Sequence, residues 1–372
     1  VQQGLALFKK IMKKTPNNMN LLFCGGGTGG HIFPAIALAN EFKTRYPDSN
    51  IQFVGALGKM EMEKVPAAGY DIIGLPVEGL IRKPTFKNIS VFFKALYSLF
   101  KARRILRKFN TTAVIGTGGF ASLPVCFAAS QMNIPVFVWE GNGFAGLTNQ
   151  IMKKRAKRIY CGFDGMDKQF PYGNWIHSGN PIRKELLSPV KPDECYKYFG
   201  LSPEKPVIFI TGGSLGAQSI NQAIENTLDD LIGKGYQIIW QTGKHYQKQH
   251  KKEGLWQAAF LNDMRLAYSI AQLVISRSGA LSVSEIMAMG VPAILVPSPN
   301  VTDDHQTKNA KKATANHGAI LIPDKHLNSQ LFDRVNEILQ SPERQESMKT
   351  ALLASSKPEA TKYIVDDIIN HL

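Results

Sequence analysis

The same short grammar occurs twice in this chain: an apolar run of strand length, a turn rich in glycine, then a helical pattern. Near the start, residues 21–24 run into Gly25-Gly26-Gly27-Thr28-Gly29-Gly30-His31, and Ile36, Leu38, Ala39 and Phe42 then recur at helical spacing over residues 33–42. Past the middle, residues 207–210 run into Gly212-Gly213-Ser214-Leu215-Gly216, and residues 219–231 read as a helix. Glycine after a strand lets the backbone turn tightly and approach a ligand, and the helix that follows presents its positive end. Further short runs rich in β-formers lie at residues 51–54, 113–115 and 136–139, and again at 237–240, 273–275 and 293–296. Runs of this kind are typical of buried parallel strands. Strands alternating with helices across short turns predict an α/β chain with parallel sheets covered on both faces. Two such sets predict two Rossmann-like domains facing each other across a cleft.

At 372 residues the chain has length for two cores. The boundary is expected near Gly179-Asn180-Pro181, before the polar stretch at 188–206. The predicted parts are a mobile extension at 1–18, a first domain at 19–183, and a second at 184–356. A C-terminal helix at 357–372 is expected to pack back on the first domain.

Charge separates the two halves. Lys and Arg outnumber Asp and Glu by 44 to 29, a net charge of +15. Residues 1–183 hold 24 basic and 9 acidic side chains, whereas 184–372 hold 20 of each, so the excess belongs to the first half. Such a field points to an anionic partner: lipid headgroups, a phosphorylated substrate or nucleic acid. Nucleic acid fits poorly, because aromatic residues are not interleaved with the charges as a stacking platform requires. Residues 82–109 carry nine basic side chains and no acid. Phe92, Leu99, Leu106 and Phe109 form a helical stripe expected to be mostly core, with Lys94, Lys101, Arg104 and Lys108 on another side. The expected membrane patch is Leu80-Ile81-Arg82-Lys83-Pro84-Thr85-Phe86-Lys87 beside that basic face, with Lys153-Lys154-Arg155 and Lys157-Arg158 as a second cluster.

Four cysteines lie far apart and match no metal spacing, which suits a reducing compartment. No run reaches the roughly 20 apolar residues that cross a bilayer, and the Lys-rich N-terminal stretch lacks a signal peptide's apolar core.

Gly25-x-Gly27-x-x-Gly30 matches the dinucleotide fingerprint, but that reading needs an acid at the end of the second strand, where Val54-Gly55-Ala56-Leu57 has none. A third glycine turn, Gly116-Thr117-Gly118-Gly119, also follows a strand. One such turn can be purely structural. Three sharing a cleft imply an anion site.

Seven motifs in order carry a resemblance: Gly26-Gly27-Thr28-Gly29-Gly30-His31, Gly118-Gly119-Phe120, Glu140-x-Asn142, Ala145-Gly146-Leu147-Thr148-Asn149, Gly179-Asn180-Pro181-Ile182-Arg183, Gly212-Gly213-Ser214-x-Gly216-Ala217, and Arg277 through Glu285. From about Met19 onward the chain resembles the MurG family. Those bacterial transferases move N-acetylglucosamine from UDP-N-acetylglucosamine to undecaprenyl-pyrophosphoryl-N-acetylmuramyl-pentapeptide in peptidoglycan synthesis. The resemblance implies the GT-B architecture, hexosyltransferase activity without a cofactor, and roles in cell-wall biogenesis, cell shape and cell division. It also implies a peripheral place on the cytoplasmic face of the plasma membrane, with the acceptor and membrane on the first domain and the UDP-sugar on the second. Carried over by position, Arg183, Ser214, Leu261, Met264, Ala280, Leu281, Ser282, Glu285 and Gln306 match nucleotide or sugar contacts, and Asn142 a donor-sugar contact. Thr28, Gly29 and Gly30 would face the acceptor diphosphate or the reacting sugar.

The chemistry needs a uridine pocket, stabilisation of the departing diphosphate, and a base. Glu285, one turn into its helix, can accept both ribose hydroxyls, and helix ends with Arg183 meet the diphosphate. Asp229-Asp230 and Asp303-Asp304 form no D-x-D motif, so no metal is required. His31 as a neutral imidazole can take the acceptor's proton, giving one inverting displacement. A histidine there can equally cap its helix or bind phosphate. Glu140 is the alternate base and can equally be structural. The chain departs from the family at Trp139 and Gly141, where His and Gln are usual, and at His305, where a paired glutamine is usual. Rival readings are another lipid-directed GT-B enzyme, such as a diacylglycerol glycosyltransferase, or a UDP-N-acetylglucosamine epimerase.

Overall fold

The computed structural model describes residues 18–79, 87–213 and 215–372. Residues 1–17, most of the expected membrane patch (80–86) and Ser214 lie outside the described residues. Two compact units emerge. The first comprises the described residues of Val1–Gly141, Ala145–Pro181 and Glu359–Leu372; the second comprises those of Asn142–Phe144 and Ile182–Pro358.

The first unit runs β1 (Asn20–Gly25), α1 (Gly29–Arg45), β2 (Asn50–Ala56), α2 (Glu61–Ala67), β3 (Asp71–Leu75), α3 (Lys87–Lys108), β4 (Ala113–Gly118), α4 (Ser122–Gln131), β5 (Val136–Glu140), α5 (Leu147–Met152), β6 (Arg158–Cys161) and β7 (Trp175–His177). Among the described residues these strands make one parallel sheet in the order β3-β2-β1-β4-β5-β6-β7. The order reverses between β1 and β4. At such a reversal the connecting helices leave on opposite faces and a crevice opens beyond the strand ends, where open α/β sheets take their ligands. Both glycine turns of this unit follow those two strands.

The second unit repeats the plan with α6 (Pro192–Phe199), β8 (Val207–Thr211), α7 (Gln218–Gly233), β9 (Gln237–Gln241), β10 (Leu255–Ala258), α8 (Met264–Ile270), β11 (Leu273–Ser276), α9 (Ala280–Met289), β12 (Ala293–Leu295), α10 (His305–Thr314), β13 (Ala319–Leu321), α11 (Leu327–Leu339) and α12 (Pro342–Ser355). Its parallel sheet has the order β10-β9-β8-β11-β12-β13, reversing between β8 and β11. The Gly212–Gly216 and Arg277–Gly279 turns follow those two strands. These are two parallel-sheet Rossmann-like domains.

The last helix, α13 (Ala360–Asn370), belongs to the first unit. Asp366 pairs with Arg45 of α1, and the Tyr160 hydroxyl of β6 donates to Asp367 at 2.9 Å. Lys157 donates to the His371 carbonyl and Arg158 faces Asp367 at 3.5 Å, which ties two cations of the second basic cluster to this helix.

Each core is filled by its strands. Leu21, Leu22, Phe23 and Cys24 of β1 are all buried, as are all five residues of β8. The stripe on α3 departs from expectation at one end. Leu106 is buried and Leu99 and Phe109 pack against the core, but Phe92 is 59% exposed, beside Phe93 at 63%, Tyr97 at 58% and Phe100 at 64%. The four cysteines are buried and free. Among the described residues no helix is long and apolar enough to cross a membrane.

Candidate functional site

In the first unit, backbone from two glycine turns meets at the reversal point. Gly26 and Gly27 take φ of 150° and 84°, and Gly118 and Gly119 of 99° and 81°. A Cβ on Gly119 would lie 2.2 Å from the Gly26 carbonyl oxygen, so the two turns can close together only as glycine. Behind them sits Glu61, fully buried at the start of α2. Its carboxylate accepts the Gly27 N–H at 3.1 and 3.0 Å and the Ala56 N–H at 2.9 Å. The acid missing from the end of the second strand is thus present a few residues later, and it binds loop amides rather than a ribose.

His31 lies in the first turn of α1, half-buried. Its Nδ1 is 3.0 Å from the Gly26 carbonyl oxygen and 3.3 Å from the Thr28 hydroxyl. A carbonyl oxygen only accepts, so Nδ1 carries a proton, and in the neutral ring the lone pair is then on Nε2. Nε2 stands over Gly118, where an added Cβ would come within 3.0 Å of it. Thr28 is the N-cap of α1, but its hydroxyl turns to His31 and makes no capping bond to the helix. Gly29 and Gly30 supply first-turn amides, which have no acceptor inside a helix.

Glu140 is buried at the end of β5, and its Oε2 accepts the Gly146 N–H at 2.7 Å and the Asn149 amide at 2.9 Å. These two bonds hold the loop into α5. The departures at Trp139 and Gly141 belong together. A Cβ on Gly141 would lie 2.3 Å from the buried Trp139 ring, so the indole occupies the space of a side chain at 141.

In the second unit the Gly212–Gly216 turn is held by the Thr211 hydroxyl, which accepts the Gly213 N–H at 3.2 Å, by the Gln241 amide, which donates to the Gly213 carbonyl at 3.3 Å, and by close backbone packing. Gly216 has φ 83°, and a Cβ on it would lie 2.2 Å from the Thr242 carbonyl oxygen. Across the reversal, Gly279 caps α9, and Ala280, Leu281 and Ser282 form a half-buried first turn with no acid in it. The Arg277 guanidinium is consumed by Asp324, the Ser219 hydroxyl and the Val296 and Pro297 carbonyls, so it braces the two turns rather than reaching a ligand.

Glu285 is buried one turn further along α9. Arg183 Nε and Nη2 each reach its Oε1 at 3.3 Å, and Nη2 also lies 3.3 Å from the Met264 sulfur at the start of α8. Burial pushes the Glu285 carboxyl above its usual range, and Arg183 partly offsets this. Leu261 is buried, with its N–H on Gln241 at 3.0 Å. The Gln306 side chain accepts the Ser298 N–H, and its carbonyl accepts the Ser278 hydroxyl, both at 2.9 Å. Within the same unit, Asn309 donates to Asn142 and to the Ser278 carbonyl, at 3.2 Å each, and accepts the Gly143 N–H at 2.8 Å.

Direct contact therefore joins Arg183, Met264 and Glu285, and a hydrogen-bonded chain joins Asn142 to Gln306. Three residues escaped the sequence reading. Asn309 stands three positions after Gln306 and Tyr268 four after Met264, spacings that share a helix face. The Tyr268 hydroxyl is buried with no hydrogen-bond partner, and burial together with the nearby Glu285 charge raises its pKa well above the usual value. Glu61, the third, gave no signal beyond being an acid in an apolar context.

Residues 21–161 match the glycosyltransferase family 28 N-terminal domain and residues 207–364 its C-terminal domain. A curated relative from Flavobacterium psychrophilum, named UDP-N-acetylglucosamine–N-acetylmuramyl-(pentapeptide) pyrophosphoryl-undecaprenol N-acetylglucosamine transferase, is 46% identical over 353 residues, which cover 94% of this chain and 96% of the relative. The crystal structure of Acinetobacter baumannii MurG is similar with a TM-score of 0.76 at 27% identity, covering 96% of this chain and 100% of that one. The UDP-N-acetylglucosamine 2-epimerase of Neisseria meningitidis has a TM-score of 0.62 at 13% identity, over 95% of this chain and 100% of that one. That second likeness is one of fold alone.

Proposed function

The chain belongs to glycosyltransferase family 28 and within it to the MurG family, and from that premise we propose how its two units divide one reaction. The enzyme transfers N-acetylglucosamine from UDP-N-acetylglucosamine to undecaprenyl-pyrophosphoryl-N-acetylmuramyl-pentapeptide, a step of peptidoglycan synthesis.

The donor belongs to the second unit. The observation that carries this is Glu285, a buried carboxylate held by Arg183 one turn inside a helix whose first turn has no acid. The Glu285 carboxylate accepts the ribose hydroxyls. First-turn amides of α9, around Ala280–Ser282, receive the diphosphate, and Arg183 adds positive charge as it departs. Asn142, Leu261, Met264, Gln306 and Ser214 complete the donor's surroundings, with Asn309 orienting Asn142.

The acceptor belongs to the first unit, beside Thr28, Gly29 and Gly30. His31 Nε2 takes the proton of the sugar 4-hydroxyl while that oxygen bonds to the anomeric carbon and the bond from that carbon to the UDP oxygen breaks. One displacement from the opposite face turns an α-linked donor into a β-linked product. Glu140 keeps the β5–α5 loop in place.

An anionic membrane surface is the further partner, at the inner face of the plasma membrane. Supporting it are the exposed Phe92, Phe93, Tyr97 and Phe100 on α3 and a cavity of about 580 Å³ beside them lined in part by Lys101, Arg104 and Lys108. Aromatic side chains reach the acyl boundary while each cation near the surface contributes about 1 kcal/mol. A wall precursor as product connects the enzyme to cell shape and division.

The test supplies radiolabelled UDP-N-acetylglucosamine with either the muramyl-pentapeptide lipid or diacylglycerol. Label is expected in the muramyl lipid alone. Label in diacylglycerol, or epimerised UDP-sugar with no labelled lipid, would refute the acceptor assignment.

A further inference from the structure

The Gly27 N–H that meets Glu61 and the Gly26 carbonyl that meets His31 are two ends of one peptide group. Its N–H lies 3.1 and 3.0 Å from the two Glu61 oxygens, and its oxygen lies 3.0 Å from His31 Nδ1. A peptide is planar and conjugated, so anchoring its N–H also aims its carbonyl. A negative charge at the N–H end polarises the group and makes the carbonyl oxygen a stronger acceptor. Everything around this peptide is shaped to keep it so. Glu61 also holds the Ala56 N–H at the end of β2, a Cβ on Gly26 would lie 2.0 Å from Glu61 Oε1, and Gly119 closes over the Gly26 carbonyl from the far side.

We propose that Glu61 is a positioning residue for His31, acting through the Gly26–Gly27 peptide. Its carboxylate keeps the imidazole in the Nδ1–H tautomer with Nε2 unprotonated, and it steadies the imidazolium that forms once Nε2 has taken the acceptor's proton. The relay does through a peptide what a carboxylate bonded directly to histidine does in a catalytic triad. It rests on the assignment of His31 as the base. Filling the corner between β2 and α2 would not require both carboxylate oxygens on the one N–H whose carbonyl partner is His31.

The test begins with the wild-type enzyme labelled with ¹⁵N-histidine, His31 being assigned by its absence from His31→Asn protein. At a pH where the imidazole is neutral, the proton is expected on Nδ1. A proton on Nε2 would overturn the proposal without any variant. In Glu61→Gln the amide nitrogen opposes a backbone N–H, so the His31 signals move toward mixed tautomers. The same variant loses about 10- to 100-fold in kcat, as disturbed supporting residues typically do, while KM for UDP-N-acetylglucosamine stays unchanged. Glu61→Asp keeps the charge and recovers part of kcat. Lower thermal stability with unaltered His31 signals and unaltered kcat per folded molecule makes Glu61 structural only and sinks the idea. His31→Ala separates this proposal from its premise. Strong impairment to which Glu61→Gln adds nothing supports the relay, and independent multiplying losses refute it. A fully active His31→Ala enzyme removes the base assignment and the relay together.

Discussion

The two reversal points solve the same geometric problem by different means. In the first unit a glycine turn is held from behind by a buried carboxylate, Glu61, and its Gly26 carbonyl meets His31 Nδ1, the side chain proposed as base. In the second unit the turns are held by backbone packing at Gly216, by the neutral Thr211 and Gln241 side chains on Gly213 and by the Arg277 hub, and the charged pair Arg183–Glu285 stands in front. A buried carboxylate on fixed amides specifies one geometry. An ion pair with its arginine half exposed can exchange partners when a ligand arrives. With the function proposed above, the contrast gives the first unit the chemistry at one atom and the second the binding.

The sharpest break of that contrast is His31→Ala. Loss of a general base lowers kcat by about 10²- to 10⁴-fold, and UDP affinity measured by calorimetry is expected to stay unchanged. Weaker UDP binding in this variant would show that the division of labour between the units is wrong.

Glu285→Ala is expected to do the converse. Hydrogen bonds to a charged group are worth about 1.5–3 kcal/mol, so UDP binding should weaken by about 10- to 100-fold. Binding by the ionised form also fixes a pH dependence. Because burial raises the Glu285 pKa, the carboxylate is protonated, and UDP affinity lost, at a pH above that of an ordinary glutamate. Glu285→Gln should flatten that acid limb. An unaltered limb would place the titrating group elsewhere.

Next in size is the membrane face proposed for the first unit. Phe93→Ser with Phe100→Ser should lower affinity for anionic vesicles by about tenfold, since each ring contributes buried apolar area only when lipid covers it. High salt should weaken what remains. Thermal stability should not change, because both rings are largely exposed in the free protein. Equal binding of the unaltered protein to neutral and anionic vesicles would leave the basic half without an electrostatic role.

What the sequence could reveal followed from locality. Strand, turn and helix at residues 20–45 and 207–233 are contiguous, and glycine marks the turns, so the two units and their central strands were readable. The strands at Arg158–Cys161, Trp175–His177 and Leu255–Ala258 were not, because Arg, His and Gln interrupt their short apolar runs, and neither was the three-residue Ala319–Leu321. The α3 stripe misled at Phe92 because helical spacing tells which residues share a face, not whether anything covers it. Motif resemblance reached Arg183 and Glu285 singly, whereas their pairing across 102 positions is a tertiary fact. Glu61 shows the limit most clearly. An acid five residues past a strand looks like an ordinary helix-start glutamate, and only the folded loop reveals the amides it serves.

The smallest predicted effect compares a matched pair of tyrosines, one in each unit. Tyr160 of β6 donates to the carboxylate of Asp367 on α13, and Tyr236, before β9, donates to the neutral amide of Asn336 on α11, both at 2.9 Å. Each bond ties its sheet region to a later helix, so deleting either hydroxyl tests how that helix is held. Tyr160→Phe removes a charge-assisted bond and should cost about 1.5–2 kcal/mol, while Tyr236→Phe removes a neutral one and should cost about 0.5–1 kcal/mol. Asp367 keeps Arg158 at 3.5 Å, which limits the first loss. Denaturant titration reads the difference, and UDP affinity serves as the control that neither change disturbs Glu285. Equal costs would mean that the Asp367 charge adds nothing to the Tyr160 bond, leaving the first unit's closing helix held by the Asp366–Arg45 pair, the Lys157 bond to the His371 carbonyl and the apolar packing of Ile364, Val365 and Ile368.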